Sequence, residues 1–422
     1  MSAAARNPAS FLLIFCIFIN VCFPLYGQTA AEKKLKCVIA VFRHGDRSPI
    51  ATYPNDKYKE DSWPDGFGQL TELGIQQHYE LGRFMRNRYS GLLNETYKRH
   101  EFYVRSTDVD RTLMSAQANI GGLFQNTDNQ YLHHNITWQL IPIHTMPQVE
   151  DYMLYMPREN CPRYNQLQNE TYASKEFQQL ISPYKDYLKS LQNITGYTAE
   201  KLNEPFTWWT IYDALLIEGI HNYTLPDWAT QNVLEKLLRL SEISLASLYG
   251  IDNQQEKSRL MAGVLVKSIL ENITQATTNS SSLKLIMYSA HDTTVAALQT
   301  ALNVSNGKIP PYASCHFFEL YQDENGNYFI EMYYRNNSAV NPYPMTLPGC
   351  SQSCALEKFS DLLSSAAVQD RDKECGNVVS GDKCKGGIFS LTVAVVLLTI
   401  VVLGLIALFG CTRKRTTNYE TV

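Results

Sequence analysis

The 422-residue sequence has no basic excess: 37 Lys and Arg stand against 41 Asp and Glu, a formal net charge of -4. Proteins that grip nucleic acid concentrate positive charge, so no nucleic-acid polymer is expected as a partner. Internal repeats, low-complexity blocks and evident linkers are all missing, which sets aside solenoids and fibrous arrays. Charged residues make up only 18% while hydrophobic residues reach 45%, enough apolar content to bury a core and to exclude wholesale disorder. Paired Cys-x-x-Cys elements with histidines at ligand spacing are also lacking, and with them the basis for a structural zinc.

What is present is concentrated first at the ends. Residues 1–31 read as a secretory signal peptide: Arg6 gives a basic start, Phe11 to Phe23 an apolar stretch, and Gly27 to Ala31 small residues for cleavage. Residues 387–410 carry no charge and are long enough to cross a bilayer as one helix. Arg413, Lys414 and Arg415 follow at once, which places residues 411–422 in the cytoplasm. The expectation is a single-pass membrane protein with its N-terminal bulk lumenal or extracellular, at the plasma membrane, endosome or lysosome. Setting aside the bases of both ends leaves an ectodomain more acidic than the whole chain, so an anionic substrate needs locally gathered positive charge.

Nine N-x-Ser/Thr sequons, at Asn94, Asn135, Asn169, Asn193, Asn222, Asn272, Asn279, Asn303 and Asn336, point to a glycosylated surface. Of ten cysteines, Cys16, Cys22 and Cys411 belong to the ends. The remaining seven are an odd set, so at least one thiol is free or intermolecular.

Between the ends, strand-like and helix-like runs alternate, which suggests an α/β core. Cys37 to Phe42 is a short apolar run suited to a buried parallel strand, and it ends abruptly in Arg43-His44-Gly45-Asp46-Arg47-Ser48-Pro49. Glu101 to Val104 ends in Arg105-Ser106-Thr107-Asp108, with a helix beginning near Asp110-Arg111 and Thr107 or Asp108 as its N-cap. Leu283 to Tyr288 ends in Ser289-Ala290-His291-Asp292 before a helical stretch. Ligands of doubly wound sheets sit beyond the carboxyl ends of parallel strands. Those ends here gather Arg43, His44, Arg47 and His291, with Arg111 at a helix mouth. Arginine forks and helix N-termini both suit phosphate oxygens, and a carboxylic acid beside a histidine suits proton donation. Residue types alone leave the reaction open.

The Arg43-His44-Gly45-Asp46-Arg47-Ser48-Pro49 run resembles the signature of the histidine acid phosphatases, and Ser289-Ala290-His291-Asp292 is similar to that family's distal His-Asp element. The resemblance covers nearly the whole ectodomain. It implies a mixed or parallel sheet flanked by helices, with catalytic-core residues 32–140 and 241–386 and a smaller inserted α-helical cap at 141–240. It implies His44 as nucleophile forming a phosphohistidine, Asp292 as proton donor, and Arg43, Arg47, Arg111 and His291 as phosphate ligands. No metal or other cofactor is implied. The activity implied is acid phosphomonoester hydrolysis. Narrower action on nucleotides, inositol phosphates or lysophospholipids, or a glycosylated receptor on a phosphatase scaffold, are the alternatives.

The resemblance also implies disulfides Cys161–Cys375 and Cys350–Cys354. Cys315 matches a family half-cystine whose usual partner falls at Ile217, while Cys37 and Cys384 look additional. Family members commonly dimerise, and Trp138 to His144 resembles the region used, so a homodimer is expected. His144 and His221 read as structural. In the tail, Tyr419 to Val422 fits both a Tyr-x-x-Φ signal for clathrin adaptors and a C-terminal PDZ ligand.

Overall fold

The structure is a computed structural model and describes residues 33–124, 139–278, 280–377 and 395–408. The expected signal peptide, the sequons at Asn135 and Asn279, Cys384 and the tail motif Tyr419 to Val422 lie outside those residues. Residues 395–408 are helical and exposed. No helix among the described residues is long and apolar enough to cross a membrane.

Among the described residues seven strands form one mixed sheet: β1 (Lys34–Arg43), β2 (Phe102–Ser106), β3 (Leu285–Ala290), β4 (Cys315–Gln322), β5 (Tyr328–Arg335), β6 (Tyr343–Met345) and β7 (Cys354–Ala355). The order is β2-β3-β1-β4-β5-β6, and β7 pairs with β5. Strands β2, β3 and β1 run parallel, and the sheet turns antiparallel from β4 onward. Successive side chains of a strand point to opposite faces. In β1, Cys37, Ile39 and Val41 therefore join one core cluster while Val38, Ala40 and Phe42 join another on the far face. Burial on both faces explains why β1 and β3 read as continuous apolar runs rather than as alternating ones.

Besides the helical residues 395–408, twelve α-helices are found among the described residues: α1 (Glu72–Arg88), α2 (Asp110–Leu123), α3 (Pro162–Ala173), α4 (Lys175–Ile181), α5 (Lys185–Thr195), α6 (Ala199–Leu202), α7 (Pro205–Ile220), α8 (Gln231–Tyr249), α9 (Gln254–Ala276), α10 (Asp292–Ala301), α11 (Leu356–Leu363) and α12 (Arg371–Glu374). Helices α1 and α2 supply Leu81, Met85, Ala116 and Ile120 to one sheet face, whereas α9 and α10 supply Leu265, Ile269, Val295 and Leu298 to the other. A third cluster is separate and mainly helical. Phe177, Leu188, Leu191, Trp208, Ile211, Leu237 and Leu240 pack with Tyr53, from the loop after β1. Helix α8 belongs to both assemblies, because Ile243 closes this third cluster while Leu245 and Leu248 reach the sheet.

Disulfides join Cys161 to Cys375 and Cys350 to Cys354. Cys37 and Cys315 are free and buried. Burial pushes the Cys37 thiol up to about 12 and raises Cys315 strongly, so both stay protonated and unreactive. Ile217, where Cys315 would find its partner, is fully buried in α7. Among the described sequons, Asn94, Asn169, Asn193, Asn222 and Asn303 are exposed and Asn336 is half-buried. At Asn272 the amide Nδ2 donates to Ser268 O at 2.7 Å and Tyr288 Oη at 3.0 Å, so the atom a glycan would occupy is engaged.

Candidate active site

The carboxyl ends of β1, β2 and β3 are stitched together by backbone hydrogen bonds. His44 N–H donates to Ala290 O at 3.0 Å, Thr107 N–H to Ser289 O at 3.2 Å, and Ala313 N–H to His44 O at 3.1 Å. The loop leaving β1 packs closely on the start of α1. A Cβ on Gly45 would meet Gly74 O at 2.4 Å, and one on Gly74 would meet Asp46 O at 2.2 Å. Only glycine at both positions permits this approach.

His44 is 2% exposed, and its Nδ1 lies 2.8 Å from Gly45 O. A carbonyl only accepts, so Nδ1 carries the proton and Nε2 keeps its lone pair in the neutral ring. Burial, followed by the charges of Arg111, Arg43, Arg47 and His291, pulls the imidazole well below its ordinary value of 6.5. The neutral ring is therefore favoured well below its usual range. His291 caps α10 and sits with ring centroids 5.7 Å from His44; its Nε2 lies 3.0 Å from Thr107 Oγ1. Burial and Arg111, against an opposing pull from Asp292, bring His291 down to about 3.

Three guanidinium groups line up with these rings, each held differently. Arg43 pairs with Asp292 Oδ2 at 2.8 Å, donates to Pro310 O at 2.7 Å and lies 4.1 Å over the Tyr312 ring. Arg47 makes a two-pronged contact with Asp213 of α7, Nη1 to Oδ2 at 2.8 Å and Nη2 to Oδ1 at 3.0 Å. Arg111, in the first turn of α2, donates to Gly68 O at 3.3 Å and has no carboxylate partner among the described residues. Burial and the neighbouring Arg47 lower it to about 10, so it remains a cation available to an anion.

Asp292 opens α10. Burial alone would raise its carboxyl, but Arg43, Arg47 and His291 together hold it below its ordinary 3.8. It is thus ionised before an anion enters, and an acid role requires a proton supplied with the substrate. His44, Arg47, Arg111, His291 and Asp292 line a cavity of about 350 Å³, with Ile50, Tyr155, Arg158, Phe206 and Trp209 also on its wall. Trp208 instead lies wholly in the helical cluster, its Nε1 donating to Leu202 O at 2.6 Å, and Tyr212 packs against the same cluster. No group of three or more metal-ligating side chains occurs among the described residues.

All six residues singled out as catalytic or phosphate-binding (Arg43, His44, Arg47, Arg111, His291, Asp292) converge on this region. The N-cap reading needs correction: Val109 occupies that position, with no side-chain cap. Thr107 is used differently, its hydroxyl shared between Thr112 and His291. Sequence reasoning also missed Asp213. Its one signal is a lone acid in the apolar stretch Trp208 to Ile217, 166 residues from Arg47. His144 is structural in character, stacked on Tyr103 with centroids 5.0 Å apart.

A second acidic feature lies five residues further along α7. Glu218 is fully buried and faces Asp56; both Glu218 oxygens and Asp56 Oδ2 lack a donor. Burial, then the hydrogen bond and charge of Asp56, against a pull from Lys57, push Glu218 up to about 8. Its folded value lies above its ordinary 4.5, so the bound proton stabilises the fold fully below that value. This contribution is lost as pH rises through about 8. The melting temperature is expected to fall between about pH 5 and about pH 8, and to fall less steeply in Glu218→Gln. Equal slopes in thermal melts of the two proteins would refute the assignment.

Residues 34–335 match the family model described as Histidine phosphatase superfamily (branch 2). The chain is 54% identical over 343 residues to prostatic acid phosphatase of Bos taurus, covering 81% of this chain and 88% of the relative. It is 47% identical over 412 residues to lysosomal acid phosphatase of Xenopus laevis, covering 97% and 93%. Among solved structures it resembles Hafnia alvei phytase in complex with myo-inositol hexakis sulphate, at a TM-score of 0.62 and 16% identity, covering 81% of this chain and 98% of that one. At that identity the likeness concerns the fold.

Proposed function

The chain belongs to the histidine phosphatase superfamily, branch 2, and from that premise we propose that it is an acid phosphatase acting on phosphate monoesters through a phosphohistidine. The observation that carries the mechanism is the state of His44: neutral, with Nδ1 committed to Gly45 O and Nε2 free, among Arg43, Arg47 and Arg111. In the first step His44 Nε2 attacks phosphorus and the ester P–O bond breaks. Asp292 gives its proton to the departing oxygen, so an alcohol leaves instead of an alkoxide. In the second step water attacks phosphorus, Asp292 takes a proton from it, and the P–N bond breaks to release phosphate. Arg43, Arg47, Arg111 and His291 hold the phosphoryl oxygens throughout and offset the charge gathering on them.

The low pKa of Asp292 fits acid operation through the substrate. A phosphate monoester loses its second proton near about pH 6, so in acid it enters as a monoanion and delivers the proton itself. Its negative charge also offsets Arg43 and Arg47, the groups that hold Asp292 ionised. Turnover therefore declines as the solution becomes neutral. The wall residues Ile50, Tyr155, Phe206 and Trp209 favour substrates whose alcohol presents an apolar or aromatic face.

In this reading residues 141–240 act as a cap, supported by the separate helical cluster that Phe177 to Leu240 build and by Asp213 reaching Arg47, while Leu154, Tyr164 and Leu167 at the start of the span root it on the sheet. The apolar run at 387–410 and the basic residues after it support a membrane anchor, and the apolar N-terminus supports secretion into the lumen. A lysosomal or lumenal setting agrees with the lysosomal acid phosphatase relatives. The resemblance at Trp138 to His144 supports a homodimer, and the motifs at Tyr419 to Val422 support an adaptor or PDZ contact. Rapid quenching without acid after mixing with labelled phosphomonoester is expected to leave acid-labile phosphate on His44. Label on another residue, or none during steady turnover, overturns the covalent mechanism.

A further inference from the structure

Arg47 is not the only residue of the catalytic loop gripped by α7. Asp46, between His44 and Arg47 on the chain, has no exposure to solvent. Its Oδ2 accepts from Thr71 Oγ1 at 2.6 Å, and Thr71 is the N-cap of α1. The same oxygen lies 2.6 Å from Nε2 of His221, the C-cap residue of α7. A carboxylate only accepts, so Nε2 carries a hydrogen and donates. The Asp46 backbone is tied as well, its N–H donating to Gln77 Oε1 at 2.8 Å and its oxygen accepting from Thr71 N–H at 3.0 Å. Trp63 meets the His221 ring edge-on at a centroid distance of 5.7 Å, which fixes the imidazole plane.

Burying a carboxylate this completely is costly unless donors converge on it. Thr71 is one neutral donor from the core side, and Oδ1 has no partner. His221 is therefore the second donor to this carboxylate, and it comes from the cap. Helix α7 thus holds two consecutive residues of the loop, Arg47 through Asp213 and Asp46 through His221. His221 is absent from the cavity wall, so it acts through the loop rather than on substrate.

We infer that His221 is a positioning residue for phosphoryl transfer, fixing through Asp46 the loop that carries His44 and Arg47. The inference rests on the phosphatase reading above. Loss of the donor frees the loop to shift against the other phosphate ligands. A displacement of that kind is felt in the transition state, where the oxygens need all their donors aligned.

The test compares steady-state kinetics and thermal melts of the wild-type full-length protein with His221→Phe and His221→Gln. Phenylalanine keeps a ring against Trp63 and removes the donor, whereas glutamine restores an N–H within reach of Asp46. His221→Phe is expected to lower kcat by on the order of 10 to 100-fold, and His221→Gln to recover it to within about threefold of wild type. If the phenylalanine variant folds poorly, His221→Asn, too short to reach Asp46, takes its place. Wild-type kcat in the donor-free variant overturns the inference. So does a glutamine variant as impaired as the donor-free one, or a kcat loss matching the fraction unfolded. Failure of the phosphatase reading itself looks different, since the wild type would then show neither turnover nor label on His44.

Discussion

His44→Ala is expected to abolish phosphomonoester hydrolysis, lowering kcat by on the order of 10⁴-fold or more, about 5.5 kcal/mol of lost barrier reduction. The size follows from the position of the ring rather than from its type. Nε2 of His44 is the lone pair that a neutral imidazole presents among Arg43, Arg47 and Arg111, with its other nitrogen fixed to Gly45 O. His291 is the nearest ring, but its Nε2 is engaged with Thr107 Oγ1. The variant should still fold, since alanine leaves the backbone bonds of residue 44 to Ala290 and Ala313 in place. Circular dichroism and a thermal melt separate loss of chemistry from loss of structure. A folded variant that keeps its turnover ends the nucleophile assignment.

Asp292→Asn is expected to act selectively on the leaving group. The amide preserves the shape of the side chain at the start of α10 but has no acidic proton to give. For alkyl phosphates the loss in kcat should be on the order of 10² to 10⁴-fold. For p-nitrophenyl phosphate, whose phenolate departs without help, the first step should suffer much less. A plot of rate against leaving-group acidity therefore steepens in the variant. Parallel plots for wild type and variant would remove Asp292 from the proton-donor role and leave it as a partner of Arg43 alone.

Much of this site was legible before any coordinates, and for a physical reason. Strands β1 and β3 are buried on both faces, so their residues are apolar without interruption, and the switch to Arg43-His44 and His291-Asp292 marks where each strand meets the cavity. Asp213 and His221 were not legible as site residues. Their roles depend on how α7 docks against the β1 loop, 166 and 175 residues away in sequence, and no local pattern encodes that docking. Helix α8 shows a similar limit. Apolar spacing from Asp227 to Leu240 indicates a helix, yet the helix runs from Gln231 to Tyr249. Its later residues are drawn on by the sheet, where Leu245 and Leu248 find a core that the local sequence does not reveal.

The topology has a kinetic corollary. The β1 loop reaches its working surroundings only when β3, whose partner strand is distant in the chain, has paired beside it; the Thr107–His291 contact alone spans 184 residues. Closing loops of this length is entropically expensive and slow, and helices such as α1 and α5, built from local contacts, form far earlier. Catalysis thus belongs to the last stage of folding. During renaturation the recovery of turnover should trail the recovery of helical signal, and no excised half of the chain carries a working centre. The newly made polypeptide therefore stays inert until its fold is complete.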